Sequence, residues 1–445
     1  GEVLWLPKCI AICLMCLLTL CSCNLPLGMN ELMNPPRLTA DQAALYDALE
    51  GAIGTDSFKF KYPRRGDYLS ACILRDLDRD GIEEAIAFYE LTFNGATSTW
   101  MSVLAQQDGV WKSVKEIAGP GGEVDLVSFA PITAQDRDNI VVGWFMPGKD
   151  DMGCAIYDYR NRQLGKAYDS EFEYSEMMIH DVDSDGLDEL VLCTQSSIRS
   201  PVMRLVKFRS GRISRTSEVA MPSGLTGYAQ LSFGKLTVGL PAIFADIAMG
   251  GDMVTTRLAA IDTSGGTTVL TELSPEDLGI YESFDRQMPT LYCEDVNGDG
   301  LEDIPVSHPL PGYENSAAGE RVTMIEYRSV VNGSLESVLH TVVNHASGYQ
   351  VKIPIEWVDR VTVRRQPDTG EWRFVLPANG KADDDTELLR IKVVSPAVYQ
   401  DKLETVEYHR LATKGVNEYM AYIPSGIYPG LSITYDKLDE FFALL

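Results

Sequence analysis

The sequence predicts a mainly β protein, a β-propeller of about five and at most seven four-stranded blades followed by a small C-terminal α+β domain. Three observations carry that prediction. From Tyr68 to about Asn344 the chain runs in short segments rich in Val, Ile, Tyr and Phe, parted by turns such as NGAT, QQDG, RSGR and NGS, the pattern of successive antiparallel strands. An acidic loop recurs as DLDRDGIEE from Asp76, DVDSDGLDE from Asp181 and DVNGDGLED from Asp295, each followed by an apolar run. The loops start 105 and 114 residues apart with a degenerate relative midway in each interval, so the repeat is about 53 to 57 residues, the size of one blade.

Residues 1–22 read as a secretory signal, with Lys8 ahead of an apolar run from Cys9 to Leu20 that is too short to span a bilayer comfortably. Leu20-Cys21-Ser22-Cys23 resembles the bacterial lipobox, which implies lipidation of Cys23 and places residues 23–38 as a Pro- and Asn-rich tether. Residues 39–65 form a helix and a linker: Thr39 and Gln42 make a capping box, and Leu45, Leu49 and Ile53 give a helical stripe ending near Gly54.

The propeller is expected over residues 66–344. Its degenerate units are residues 127–145, which keep strand, loop and strand with Asp136 and Asp138 but no glycine turn, and residues 228–248, which keep only the strands. Residues 345–445 alternate as strands again, opening on Tyr349, Pro354 and Trp357, with helices expected at VSPAVYQDKL and TYDKLDEFFALL. That segment resembles the C-terminal domains of similar lipoproteins; the alternative is that it supplies one or two further blades.

Asp181, Asp183, Asp185 and Glu189 repel one another with no Lys or Arg inside their stretch, and a hard cation is the natural counter-charge. Ca²⁺ takes six to eight oxygens, which alternate residues of a tight loop can supply. The ligands expected in the first loop are Asp76, Asp78, Asp80 and Glu84 with the carbonyl of Ile82, and in the second Asp181, Asp183, Asp185 and Glu189 with the carbonyl of Leu187. The third offers Asp295, Asn297, Asp299 and Asp303 with the carbonyl of Leu301, one carboxylate fewer and so the weakest site. An EF-hand is excluded, because its bidentate Glu at position 12 is replaced by Ala87, Leu192 and Val306 and strand-forming residues follow.

A strand, a D-x-D-x-D-G-x-x-D loop and a second strand at blade spacing resemble the FG-GAP/VCBS-type repeats of integrin α-subunits and bacterial surface proteins. The resemblance covers residues 68–340, although the FG and GAP peptides are absent. It implies up to three Ca²⁺ at a propeller rim, in units one, three and five, and with the lipobox it points to lipoproteins of clostridial type.

The net charge of −26 opposes binding to nucleic acid and to anionic lipid, so the membrane is reached by the lipid anchor alone. Cys72, Cys154, Cys193 and Cys293 stand singly in apolar runs, which reads as buried small hydrophobes rather than a zinc or redox site. With five His and no G-x-S-x-G, H-E-x-x-H or phosphate loop, no catalytic motif is evident. The expectation is a monomeric, non-catalytic binding, adhesion or scaffold module on the extracellular face of a bacterial membrane, its partner a protein or polysaccharide. The alternatives are a glycan-active hydrolase or lyase on the same scaffold, and a purely structural envelope component.

Overall fold

The computed structural model describes residues 40–54, 58–93, 95–196, 198–279, 283–287, 290–317, 319–332, 334–366, 369–378, 385–395, 407–426 and 428–445. The expected signal, Cys23, the tether and Thr39 lie outside them, as does most of VSPAVYQDKL. Among the described residues no helix is long and apolar enough to cross a membrane.

A helix, α1 (Ala40–Ile53), precedes six antiparallel sheets that follow the chain in order. The first holds β1 (Phe58–Phe60), β2 (Cys72–Arg75), β3 (Glu84–Phe93), β4 (Ala96–Gln107) and β5 (Val110–Ala118). The second is β6 (Val124–Ala130), β7 (Asn139–Trp144), β8 (Met152–Arg160) and β9 (Gln163–Tyr174), and the third β10 (Glu176–His180), β11 (Glu189–Cys193), β12 (Val202–Arg209) and β13 (Arg212–Ala220). The fourth comprises β14 (Leu225–Thr237), β15 (Leu240–Met249), β16 (Met253–Asp262), β17 (Val269–Leu273) and β18 (Arg286–Gln287). The fifth runs β19 (Ile304–Pro309), β20 (Thr323–Val331), β21 (Ser334–Asn344) and β22 (Tyr349–Lys352). The sixth is β23 (Thr362–Gln366), β24 (Glu371–Leu376), β25 (Thr386–Val394), β26 (His409–Lys414) and β27 (Asn417–Tyr422). After a short helix, α2 (Tyr435–Phe441), the last strand β28 (Phe442–Leu444) returns to the edge of the fifth sheet beside β22.

The inner sheets bury both faces, which is why strands such as ELVLC read as continuous apolar runs. Side chains alternate across a strand. In β11, Leu190 and Leu192 therefore meet Val141 and Ile156 of the second sheet, whereas Val191 and Cys193 meet Ile243 and Ala245 of the fourth. Phe88 and Met101 join the first sheet to Val142 and Tyr157 of the second, and Phe244 and Leu258 join the fourth to Ile304 and Val330 of the fifth. A fully buried ion pair, Arg286 with Asp246 at 2.6 Å, pins β18 and the following segment to the fourth sheet.

The two ends of the stack are finished differently. The outer face of the first sheet, with Tyr89 and Leu104, is covered by Leu45 and Leu49 of α1, whose stripe is the predicted one. The segment expected as a linker contributes β1, which pairs with β3. On the sixth sheet Trp372, Phe374 and Ile391 face the fifth. Opposite them lie Arg364 paired with Asp385, and Arg373 and Arg390 paired with Glu387. Among the described residues, no buried apolar cluster joins the sixth sheet to the first.

The expected boundary at residue 344 falls inside the fifth sheet. Tyr349 opens β22, Pro354 precedes a 3₁₀ turn over Ile355–Trp357, and the buried Trp357 donates its indole N–H to the Leu431 carbonyl at 2.9 Å. One apolar cluster from Leu310 to Leu438 runs through both sheets, so the last hundred residues share a core with the fifth sheet.

Candidate metal centres in the acidic loops

The first acidic loop connects β2 to β3, the second connects β10 to β11, and the third leads into β19 and is closed by a bridge between Glu294 and Asp303; the three share one hydrogen-bond frame. The carboxylate at position 1 accepts from the backbone N–H of positions 5 and 6: Asp76 from Asp80 and Gly81, Asp181 from Asp185 and Gly186, Asp295 from Asp299 and Gly300. Position 5 accepts from position 7, so Asp80, Asp185 and Asp299 receive the N–H of Ile82, Leu187 and Leu301. Position 9 reaches back to the N–H of position 2, Glu84 to Leu77, Glu189 to Val182 and Asp303 to Val296. The turn requires a left-handed residue at position 6, where Gly81, Gly186 and Gly300 have φ of 89°, 85° and 83°.

The frame aims the remaining carboxylate oxygens inward. Asp76, Asp78 and Glu84 each place one within 4.8 Å of the others, as do Asp181, Asp183 and Glu189, the convergence of carboxylates that a metal site needs. In the third loop Asn297 donates its amide to Asp299 at 2.9 Å and Ser329 donates to Asp303, whereas in the first loop Glu84 is hydrogen-bonded to the Tyr159 hydroxyl and Asp78 Oδ1 has no partner.

What lies across the strand from position 9 distinguishes the sites. Extending each antiparallel register by one residue sets Glu84 opposite Ala105, Glu189 opposite Lys207 and Asp303 opposite Ser329. At the first loop the Ala105 methyl leaves a pocket of about 430 Å³ lined also by Asp78, Asp80, Glu84, Tyr159 and Arg162. Asp78 Oδ1 is buried there without a hydrogen-bond partner, and among the described residues no Lys or Arg forms an ion pair with Asp76, Asp78, Asp80 or Glu84. Burial, followed by the charges of Asp78 and Asp80, pushes the Glu84 carboxyl up to about 7. The carboxylates fit a cation: they offer oxygen donors only and leave Asp78 Oδ1 buried without a partner, although Arg162 shares the lining.

At the second loop an ammonium occupies the centre. Lys207 Nζ lies 2.6 Å from Asp183, 2.7 Å from Asp185 and 2.7 Å from Glu189. Thr268, just ahead of β17, also donates to Asp183. Burial opposes ionisation of Asp183, but these hydrogen bonds outweigh it and hold its pKa below the ordinary value.

The degenerate second unit keeps the same nine-residue loop with the chemistry inverted. Asn139 stands at position 9 and accepts from Ile132 N–H at position 2, as Glu84 does from Leu77. Opposite it, Asp158 supplies the carboxylate and Arg137 the cation, at 2.7 Å. Asp138 accepts from Arg75 at the end of β2 and from Arg79 of the first loop, and Gln135 donates to the Asp185 carbonyl of the second. The loops thus form a continuous polar chain along the first three sheets. The fourth sheet replaces the loop by a tight turn between β14 and β15.

Sequence reasoning missed Ala105, Tyr159, Lys207, Thr268 and Ser329. The available signal was a lone Lys in the apolar run VMRLVKFR. His180, beside Asp181, is exposed and lies against the Phe233 ring, 4.5 Å between centroids. The four cysteines are free thiols, and burial raises the pKa of each.

No family model matches the chain, and no curated protein matches it. Among solved structures, a rhamnogalacturonan lyase from Bacillus licheniformis is 12% identical with a TM-score of 0.28, covering 67% of each chain. A protein from Lactobacillus plantarum is 10% identical with a TM-score of 0.31, covering 71% of this chain and 93% of its own. These values assign neither family nor activity to the chain.

Proposed function

We propose that the protein is a calcium-stabilised β scaffold that binds a protein or polysaccharide at the outer face of a bacterial membrane, held there by a lipid on Cys23 and performing no chemistry on its partner. The first loop carries the metal reading: a buried carboxylate oxygen without a partner, in a pocket walled by carboxylates and open beside Ala105. Calcium suits this donor set better than magnesium, which demands near-octahedral geometry and keeps its waters. The ion's part is structural, cancelling repulsion among Asp76, Asp78, Asp80 and Glu84 and locking β2 to β3. The third loop, with Asn297 at position 3, is the weaker site. Partner recognition is assigned to the connecting segments 147–153 and 308–320. Within the first of these, Asp151 already accepts the N–H groups of Gln195 and Ser196 and so anchors the segment.

Calorimetric titration of Ca²⁺ into EDTA-treated protein, with thermal melts alongside, tests the metal reading. Binding with a rise in melting temperature, both reduced in Asp78→Asn, is the expected result; an unchanged melt contradicts it. For the partner, immobilised protein incubated with bacterial and plant polysaccharides should retain chains of undiminished length. Shortened chains with new ends would establish an enzyme instead.

A further inference from the structure

We propose that the second acidic loop is a metal site closed by its own strand, with the Lys207 ammonium as permanent counter-ion, so that this loop takes up no Ca²⁺ in the intact protein. The inference rests on the metal reading of the loops given above and limits how many of them are metallated.

Three observations carry it. The loop frame of residues 181–189 matches that of residues 76–84 bond for bond, so the two centres are equivalent positions. Lys207 stands on β12 where Ala105 stands on β4, directly across from position 9. An ammonium has three donors, and the three contacts of Lys207 go to Asp183, Asp185 and Glu189, the carboxylates at positions 3, 5 and 9. With all its donors used, Lys207 leaves Asp183 Oδ1 buried and unpartnered, as expected when three donors replace a cation of six or more ligands.

A divalent ion would have to displace an ammonium held by three carboxylates, two of them buried, and the freed Lys side chain would have to leave a site where it is only 12% exposed. The second unit obeys the same rule with the charges exchanged, Arg137 and Asp158 forming an internal pair in place of any ion. Along the sheets, the residue across from position 9 therefore decides how the centre is filled: by methyl and pocket, by carboxylate with Arg137, by ammonium, or by the Ser329 hydroxyl.

The test is Ca²⁺ stoichiometry by calorimetry on the full chain. Lys207→Met should bind one more Ca²⁺ than the unsubstituted protein, and the added site should vanish in Lys207→Met/Asp183→Asn. Asp183→Asn alone should leave the stoichiometry unchanged, a measurement that holds even if Lys207→Met folds poorly. Equal stoichiometry in Lys207→Met and the parent, or loss of one Ca²⁺ in Asp183→Asn, would overturn the inference. The two readings fail separately: a parent protein that binds no Ca²⁺ while Lys207→Met binds one would sink the metal reading of the first loop and leave this one standing.

Discussion

At the scale of single residues, the acidic loops are decided by side chains outside them. Asp76, Asp181 and Asp295 announce a loop, yet the occupant of each centre is set by Ala105, Lys207 or Ser329 on a strand reached through a hairpin of variable length. Lys207 follows Glu189 by 18 residues and Ser329 follows Asp303 by 26, so no fixed spacing reveals the pairing before the register is known. Replacing Lys207 by Met strands Asp183 and Glu189 without a counter-charge, and without Ca²⁺ this should cost about 3–5 kcal/mol in urea denaturation. The first loop responds to pH. Its Glu84 carboxyl titrates near 7 against an ordinary 4.5, so the folded metal-free protein keeps a proton that the unfolded chain has released. The associated stability is present below about pH 4.5 and is lost as the pH rises through 7. Calcium takes the ionised form, so the rise in melting temperature on adding Ca²⁺ should grow between pH 5 and 7.5. An increment that is flat across that range, or unaltered in Glu84→Gln, contradicts the assignment.

At the scale of elements, periodicity was a sound guide. The Leu45 and Leu49 stripe of α1, the apolar run after each acidic loop and the bare strands of residues 228–248 all stand where alternation and turn residues put them. Leu49 is fully buried against the first sheet, and Leu49→Ala should lower stability by about 2–5 kcal/mol, measured by chemical denaturation. Ionic pairing across elements was not legible. Arg286 lies about 40 residues from Asp246, and neither sits in a recognisable pattern. Asp246 also accepts from Thr256 and from the Cys293 N–H, so Asp246→Ala leaves a buried guanidinium unpaired and should cost about 3–5 kcal/mol. The boundary expected at residue 344 misled for a related reason: a Tyr, a Pro and a Trp resembled the opening of a new domain, whereas Tyr349 and Trp357 stitch the fifth sheet to the sixth through one core.

At the scale of the whole molecule, each sheet meets its neighbours in sequence, so stability is shared locally along the stack. Amide hydrogen exchange should accordingly be slowest in β7, β11 and β15, which are covered on both sides, and fastest in the sixth sheet. Added Ca²⁺ should slow exchange chiefly in β2 and β3, while uniform slowing over all six sheets would argue for a single cooperative unit. Among the described residues no buried apolar cluster joins the last sheet to the first, and a naked apolar terminal face would recruit a further sheet from a neighbouring chain. Here one terminus wears a helix and the other carries Arg364, Arg373 and Arg390 paired with Asp385 and Glu387. The same residues that finish the fold therefore leave neither described terminal face bare and apolar, so neither offers a surface on which a second copy would stack to extend the row.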